Sequence, residues 1–178
     1  EAPRMTREEK LDKLLEVAAG LMARQGYSQT SIRDVARETG FSLAGMYYYF
    51  ERKEDLLYQI QKGTFQRLLD QQEAQTAATL DPEECLRSII KTHLAYFQSH
   101  ASEMKVCTYE LESLSGDLYE EIEDIRRRYY RMTANVVREL IGIESPTRTQ
   151  RDRIRHLTMF LFGSLNWVFM WYQPKKDV

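Results

Sequence analysis

Three consecutive tyrosines, Tyr47 to Tyr49, are the side chains of this sequence best suited to bind another molecule through hydroxyl groups. Successive residues of a helix point about 100° apart, so three in a row cannot all face a core, and at least one is expected to be exposed. A glycine, Gly40, precedes them and favours a sharp turn between two short helices. A helix followed by such a turn and a short helix has the plan of a helix-turn-helix, whose second helix lies in the major groove of DNA. The alternative for Tyr47 is packing, because Tyr47 and Phe50 share a helix face with Met46.

Catalytic and metal-binding patterns are absent from the sequence. There is no Glu-x-x-His or His-Glu-x-x-His, no Gly-x-Gly-x-x-Gly loop and no Walker loop. His93 and His100 lie seven positions apart and could share a helix face, but the residues around them do not complete a metal site. Cys107 has only Lys105 as a basic neighbour in sequence, which does not support nucleophilic catalysis. We therefore expect no enzyme, no metal and no cofactor.

Helices must position these residues, because the chain is poor in turn-forming residues. It has 8 Gly and 4 Pro among 178 residues, and no stretch alternates apolar and polar residues as a β-sandwich or barrel requires. Apolar residues recur at helical spacing nearly throughout, so we expect an all-α protein. Capping residues and glycines place the helices from Leu11 to Gly26, from Ile32 (capped by Thr30 or Ser31) to Gly40, from Ser42 to Phe50, from Lys53 toward Leu80, from Asp81-Pro82 onward, within 101–114, from Leu118 to Gly142, and from Ser145-Pro146 or Thr149 to about Gln173.

The composition is that of a globular protein, with 43% hydrophobic and 29% charged residues and a net charge of −2. Residues 24–53 contain five Lys or Arg and three Asp or Glu, so we expect only modest electrostatic attraction to DNA. The N-terminus lacks the apolar core of a signal peptide, and the longest apolar run, from Leu157 to Tyr172, is too short and too interrupted to span a bilayer. With two cysteines, we expect a reduced, cytoplasmic protein without a membrane anchor.

Residues 30–57, TSIRDVARETGFSLAGMYYYFERKEDLL, resemble the N-terminal domain of the TetR family of bacterial repressors. The matching residues are Thr30, Ile32, Ala36, Gly40, Ser42, Tyr47, Tyr48, Phe50, Lys53, Glu54 and Leu56. The resemblance implies a helix-turn-helix DNA-binding domain over residues 1–52, followed by a helical ligand-binding and dimerisation domain over residues 53–178. It also implies a homodimeric repressor that binds a palindromic operator and is released by an apolar small molecule.

The same resemblance assigns the DNA contacts to the second and third helices. The residues concerned are Thr30, Ser31, Arg33, Ser42, Leu43, Ala44, Gly45, Tyr47, Tyr48, Tyr49 and Lys53. Thr30 and Ser31 would bind phosphates through hydroxyls and backbone amides, and Arg33 would reach a guanine edge or a phosphate. The remaining residues divide by role: Leu43, Ala44 and Tyr48 face the bases, Gly45 allows a phosphate to approach, and Tyr47, Tyr49 and Lys53 hold the backbone.

Three departures from the family's usual residues affect this assignment. Leu43 replaces a residue that is often basic or polar, the pair Ala44-Gly45 reverses the usual order of glycine and small residue, and Tyr49 stands where many relatives have histidine. Few hydrogen-bonding side chains therefore remain on the recognition helix. We expect base recognition to depend on contacts with thymine methyl groups and on Tyr48.

The last predicted helix, LTMFLFGSLNWVFMWYQP, is apolar nearly all round, so both of its sides must be covered. One side is expected to pack on its own core. The other is expected to meet a partner subunit through Leu161, Leu165, Val168 and Tyr172. Residues 163–167 and 171–174 also resemble TetR-type regulators that sense fatty acyl-CoA or steroid-degradation CoA thioesters. The resemblance implies an acyl-CoA or fatty-acid-like effector, with a multidrug or xenobiotic sensor as the alternative.

A pocket for such an effector should be mostly apolar with a few polar groups. The candidate residues are Leu69, His93, Phe97, Met104, Cys107, Leu111, Tyr129, Thr133, Met159, Phe162, Asn166 and Met170. Two of them have plain alternatives: His93 as a hydrogen-bonded core residue, and Asn166 as a partner of a neighbouring helix. The run from Arg126 to Arg128 could meet CoA phosphates, or could form a solvated helix face.

Overall fold

The computed structural model describes residues 5–78 and 81–171, and within these ranges it leaves out the side chains of residues 169 and 170. Over the described residues the chain forms helices joined by turns, without a β-strand, so the all-α prediction is confirmed. The helices are α1 (Arg7–Gln25), α2 (Ile32–Thr39), α3 (Leu43–Tyr47), α4 (Lys53–Ala78), α5 (Pro82–Ser99), α6 (Ala101–Tyr109), a 3₁₀ turn (Leu111–Ser113), α7 (Gly116–Leu140), α8 (Arg148–Asn166) and α9 (Val168–Trp171).

Local capping explains the boundaries of the first three helices. The hydroxyls of Thr6, Ser31 and Ser42 each accept a hydrogen bond from a backbone N–H in the first turn of α1, α2 and α3. In α1 and α2 the acidic side chain at the third helical position also accepts a hydrogen bond from the backbone N–H of the capping residue, which completes a capping box. Gly26 and Gly40 follow α1 and α2 with φ of 88° and 75°, a backbone region that glycine enters without strain. The starts of α2 and α3 and the stops after α1 and α2 agree with the prediction. The capping box at Thr6 starts α1 at Arg7, before the predicted Leu11, and α3 ends before Phe50.

The start of α8 differs from both predicted positions. Its N-cap is Thr147, whose hydroxyl accepts from the N–H of Gln150 at 3.3 Å, while the Gln150 side chain accepts from the N–H of Thr147 at 2.8 Å. This pair satisfies two backbone donors at once. The predicted starts, at Ser145-Pro146 or at Thr149, offer no such reciprocal pair with glutamine or glutamate.

The last predicted helix is interrupted. A turn at Trp167 separates α8 from α9, whereas the apolar pattern predicts one continuous helix to Gln173, which itself lies outside the described residues. Asn166, at the break, is a weak helix former, and its side-chain oxygen bonds to His93 of α5. A side-chain contact to another helix therefore coincides with the end of α8.

The chain divides into two compact units. Unit 1 comprises Glu1–Thr64 and Ser102–Ile122, and unit 2 comprises Phe65–Ala101 and Glu123–Val178. The unit that holds the helix-turn-helix thus extends beyond the predicted segment 1–52. Its core includes Leu14, Ala18, Val35, Met46, Leu56 and Leu57. The core of unit 2 includes Leu68, Leu69, Ile89, Phe97, Tyr129 and Val136. None of the helices over residues 5–78 and 81–171 combines the length and apolarity needed to cross a membrane.

Candidate functional site

Helix α3 turns one side to the core and the other side outward. Met46 is fully buried, and Phe50, just after the helix, is nearly so. Tyr47 and Tyr48 are 53% and 68% exposed. The structure therefore separates the two aromatics that the packing alternative joined: Phe50 belongs to the core and Tyr47 does not. The outer side of α3 presents two phenol groups that can donate and accept hydrogen bonds.

The cap of α3 explains why a glycine stands at position 45. The Ser42 Oγ accepts from the N–H of Gly45 at 3.1 Å. A Cβ on residue 45 would lie 3.1 Å from the same oxygen, closer than an ordinary van der Waals contact. The missing side chain therefore leaves room for the helix cap, and the approach of a phosphate at Gly45 remains a prediction. Of the two predicted base-facing neighbours, Ala44 is exposed and Leu43 is half-buried.

The start of α2 corrects the role expected of the Thr30 hydroxyl. Thr30 is buried, and its Oγ1 donates to the carbonyl oxygen of Gly26 at 2.9 Å and accepts from Nε2 of Gln25 at 3.3 Å. These bonds join the end of α1 to the start of α2, so this hydroxyl is not presented to a phosphate. Ser31 is exposed, but its hydroxyl caps α2 and donates to Asp34 at 2.6 Å. Arg33 is exposed, as a nucleic-acid contact requires.

Lys53, at the start of α4, is bound within its own unit. Its ammonium donates to the carbonyl oxygen of Tyr27 at 2.8 Å and to that of Ser28 at 3.4 Å, and it lies 4.1 Å from the centroid of the Tyr27 ring. Burial, followed by the charges of Glu54 and Glu110, raises the pKa of Tyr27. An ammonium has three donors, so the predicted backbone contact of Lys53 would use the one that remains.

A buried polar network links three helices of unit 2. The Nε2 and Nδ1 atoms of His93 in α5 lie 3.2 Å from Oδ1 of Asn166 in α8 and 3.2 Å from the hydroxyl of Tyr129 in α7. Because an amide oxygen can only accept, Nε2 carries the proton and Nδ1 accepts from the Tyr129 hydroxyl. Burial lowers the pKa of His93 from 6.5 to about 4 and raises the pKa of Tyr129. The imidazole is therefore neutral. The bond between His93 and Asn166 agrees with the alternative given for each residue, a hydrogen-bonded core histidine and an amide bonded to a neighbouring helix.

A second hydrogen-bonded pair near Tyr129 joins Thr133, one of the predicted ligand residues, to Gln72, which the sequence did not single out. Gln72 of α4 donates from Nε2 to Oγ1 of Thr133 at 2.9 Å, and Thr133 donates to the carbonyl oxygen of Tyr129 at 3.1 Å. Both Gln72 and Thr133 are buried. A local signal for Gln72 exists: it follows Leu68 and Leu69 on the apolar stripe of α4, where a polar residue needs a partner.

The other predicted ligand residues are divided between the two units. In unit 2, Leu69 and Phe97 are buried, and the Phe162 ring lies 5.4 Å from that of Tyr129. Met159 is 60% exposed, because it lies on the outer side of α8. The predicted residues in unit 1 are Met104, Cys107 and Leu111. The side chain of Met170 lies outside the described part of the chain.

The arginine run of α7 pairs with nearby carboxylates. Arg126 and Arg127 approach the carboxylate of Glu123 at 2.8 Å and 3.2 Å, and Arg128 approaches Glu73 at 2.9 Å. These contacts correspond to the solvated helix face rather than to a set of vacant phosphate ligands. Within the described ranges, no group of three or more His, Cys, Asp or Glu side chains could hold a metal ion.

An exposed apolar face runs along α8 and α9 of unit 2. It consists of Leu157, Met159, Phe160, Trp167 and Trp171, and Phe160 is 75% exposed. Leu165, predicted to face a partner, is buried within its own unit, while Leu161 and Val168 are half-buried and Tyr172 lies outside the described residues. The apolar pattern alone could not tell which side of this helix its own chain covers.

Comparisons with known proteins agree over both parts of the chain. The family model for bacterial regulatory proteins of the tetR family matches residues 14–60. The family model for the tetracyclin repressor-like C-terminal domain matches residues 79–175.

Individual relatives extend over most of the chain. The HTH-type transcriptional repressor KstR2 of Rhodococcus jostii is 30% identical over 169 residues, which cover 93% of this chain and 81% of the relative. The fatty acid metabolism regulator protein of Bacillus subtilis is 22% identical over 157 residues, covering 88% of this chain and 80% of that protein. The crystal structure of a TetR-family transcriptional regulator from Bordetella parapertussis superposes with a TM-score of 0.88 at 27% identity, covering 96% of this chain and 88% of that one.

Proposed function

Because this chain belongs to the TetR family of bacterial transcriptional regulators, we propose that it represses transcription as a homodimer bound to a palindromic DNA operator, and that an apolar small molecule releases it. The observation that carries the DNA-binding part is the exposed pair Tyr47 and Tyr48 on α3, directly after a capped turn. The relatives of this chain are named as regulators and not as enzymes. Such a repressor would act in the cytoplasm, where the bacterial chromosome lies.

The proposed DNA contacts are grouped around α3. Tyr48 and Ala44 would face base edges, Tyr47 would bind the backbone, and the exposed side chains of Ser31 and Arg33 would hold phosphates beside the groove. The two recognition helices of a dimer would enter successive major grooves, about 34–36 Å apart. Thr30 is left out of these contacts, because its hydroxyl donates to the carbonyl oxygen of Gly26 and its backbone N–H donates to that of Tyr27.

The exposed apolar face of α8 and α9 supports the homodimer. Several large apolar side chains exposed along one short segment are unusual on a monomer and indicate an interaction site. Phe160, Trp167 and Trp171 are large side chains that would be buried by the same face of a second subunit. We assign the interface to this face, with the half-buried Leu161 and Val168 at its edge.

The uncharged network of unit 2 supports an effector with an apolar body and a neutral polar group. Both ring nitrogens of neutral His93 are already bonded, but the Tyr129 hydroxyl can still accept a hydrogen bond and the Asn166 amide nitrogen can still donate one to an effector carbonyl or hydroxyl. A cation would instead need a carboxylate to replace its hydration. The acyl chain and the thioester carbonyl of a fatty-acid-like CoA thioester fit this chemistry. One relative is named as a regulator of fatty acid metabolism, which is consistent with such an effector.

Release would follow from differential affinity. An effector shifts the protein toward the conformer that it binds more tightly, by no more than the difference between its two binding free energies. A conformer in which the two recognition helices no longer match successive grooves would lose DNA.

The DNA-binding proposal is tested by selecting binding sites from a random pool of duplex DNA. We expect an enriched palindrome that the wild-type protein binds and that Tyr48→Ala binds far more weakly. Glu112→Ala changes an exposed residue of the 3₁₀ turn and serves as the control. Failure of the wild-type protein to enrich any sequence would refute the proposal.

The effector proposal is tested on the same selected DNA with a series of acyl-CoA thioesters of increasing chain length. We expect one range of chain lengths to release DNA and to raise the melting temperature of the free protein. Release by cationic xenobiotics with no response to any thioester would instead establish a multidrug sensor.

A further inference from the structure

Arg7 occupies an electrostatically unfavourable place at the start of α1. It is the first residue of that helix, next to Glu8 and Glu9. The positive end of a helix dipole stabilises the two carboxylates and disfavours a guanidinium. The side chain is exposed, and it forms no ion pair with any residue that the structure describes. Neither the helix dipole nor an ion pair therefore explains why an arginine stands at position 7.

The guanidinium of Arg7 lies against the recognition helix. Its central carbon is 5.5 Å from the centroid of the Tyr48 ring, within the range of a cation–π contact. The Tyr48 ring meets the Tyr49 ring edge to face at 5.2 Å, and Tyr49 lies 6.2 Å from the ring of the buried Phe50. Tyr48 thus contacts a cation and also a series of aromatic rings that ends at the buried Phe50.

The contact with Tyr48 leaves the hydrogen-bonding capacity of Arg7 intact. A cation–π contact uses the positive charge of the guanidinium and does not consume its five N–H donors. In-plane donors of this kind bind a phosphate through two parallel hydrogen bonds. The exposed Tyr48 hydroxyl and the Arg7 donors therefore lie on one surface. The hydroxyl is suited to a base edge, and the guanidinium is suited to a phosphate.

We infer that Arg7 is a further DNA-binding residue, which binds a backbone phosphate of the operator beside the base contacted by Tyr48. The inference rests on the proposed function, since it requires that α3 enters the major groove. It extends the DNA interface from α2 and α3 to the first turn of α1.

The test measures operator affinity as a function of salt concentration for the wild type, Arg7→Ala and Arg7→Lys, using the selected palindrome. We expect Arg7→Ala to lower affinity about tenfold, and to reduce the slope of log K against log salt by about one per half-site, because one phosphate contact is lost. Arg7→Lys should keep most of the slope but lose part of the affinity, because an ammonium can neither stack nor bind in bidentate fashion. Arg67→Ala, which removes an exposed arginine of α4 in unit 2, is the matched control and should change neither quantity.

A double-mutant cycle with Tyr48→Ala tests the pairing of the two side chains. The loss caused by Arg7→Ala should be smaller when Tyr48 is already absent. Wild-type affinity and slope in Arg7→Ala, or reduced affinity with an unchanged slope, would overturn the phosphate contact. A wild-type protein that binds no palindrome would refute the proposed function instead, so the two failures are distinct.

Discussion

The carboxylate of Glu110 accepts a hydrogen bond from the backbone N–H of Tyr27 at 3.0 Å, across 83 positions of sequence. The carbonyl oxygen of the same Tyr27 accepts from Lys53 at 2.8 Å. Glu110 is held in turn, because its second carboxylate oxygen accepts from Ser113 at 2.9 Å and its carbonyl oxygen accepts from the buried Gln61 at 3.0 Å. The turn that precedes α2 is thereby held by Glu110, which belongs to the second sequence segment of unit 1.

Replacing Glu110 by alanine should therefore loosen the DNA-binding helices without removing a DNA contact. Loss of a charge-assisted hydrogen bond is expected to cost roughly 1–3 kcal/mol of unfolding free energy. Operator affinity should fall while its salt slope stays unchanged, and amide exchange at Tyr27 should accelerate. Glu110→Gln keeps an acceptor and should behave nearly as the wild type, as should the control Glu112→Ala. Equal behaviour of the two alanine variants would contradict this reading.

Lys53 should contribute more to folding than to the salt dependence of DNA binding. Lys53→Met keeps the aliphatic stem but leaves the carbonyl oxygen of Tyr27 without its ammonium donor. We expect a loss of roughly 1–2 kcal/mol in unfolding free energy, measured by urea denaturation. The salt slope should change less than in Arg7→Ala. A full loss of one phosphate contact without destabilisation would show that Lys53 leaves Tyr27 when DNA binds.

The buried neutral His93 predicts a pH-dependent stability. Because burial lowers the pKa of its imidazole from 6.5 to about 4, the unfolded chain binds a proton that the folded chain rejects between these values. Its contribution to stability is complete above about pH 6.5 and is lost as the pH falls toward 4, by up to about 3 kcal/mol. Urea unfolding of the wild type should show this decline, and His93→Gln should flatten it. His156→Gln changes an exposed histidine of α8 and should keep the wild-type profile.

A charge on the exposed face of α8 should separate the proposed dimer. Phe160→Asp places a carboxylate at the centre of the apolar face, where burial against a second subunit would leave it without a partner. We expect a monomer by light scattering or analytical ultracentrifugation, with helicity retained and operator affinity reduced. Leu140→Asp introduces the same charge at an exposed apolar residue of α7 and should remain dimeric. A monomeric wild type would remove the basis of this interface.

Much of the fold follows from signals a few residues apart. The caps at Ser31 and Asp81, and the glycines after α1 and α2, act within one helical turn, so the helix boundaries near them could be predicted. The helix-turn-helix is encoded in one contiguous stretch, which is why its residues could be named. Even here the role of Thr30 could not be predicted, because its hydroxyl bonds to the end of the preceding helix.

The sequence by itself determined the helical class, most helix boundaries and the regulator family, since each depends on local pattern or on a contiguous motif. Only the tertiary structure decided which polar side chains meet: Gln72 with Thr133, His93 with Asn166, and Tyr27 with Glu110. It also decided that α8 exposes Phe160 and buries Leu165. These outcomes depend on how helices far apart in sequence pack together, and an apolar or polar pattern along one helix does not specify which neighbour covers it.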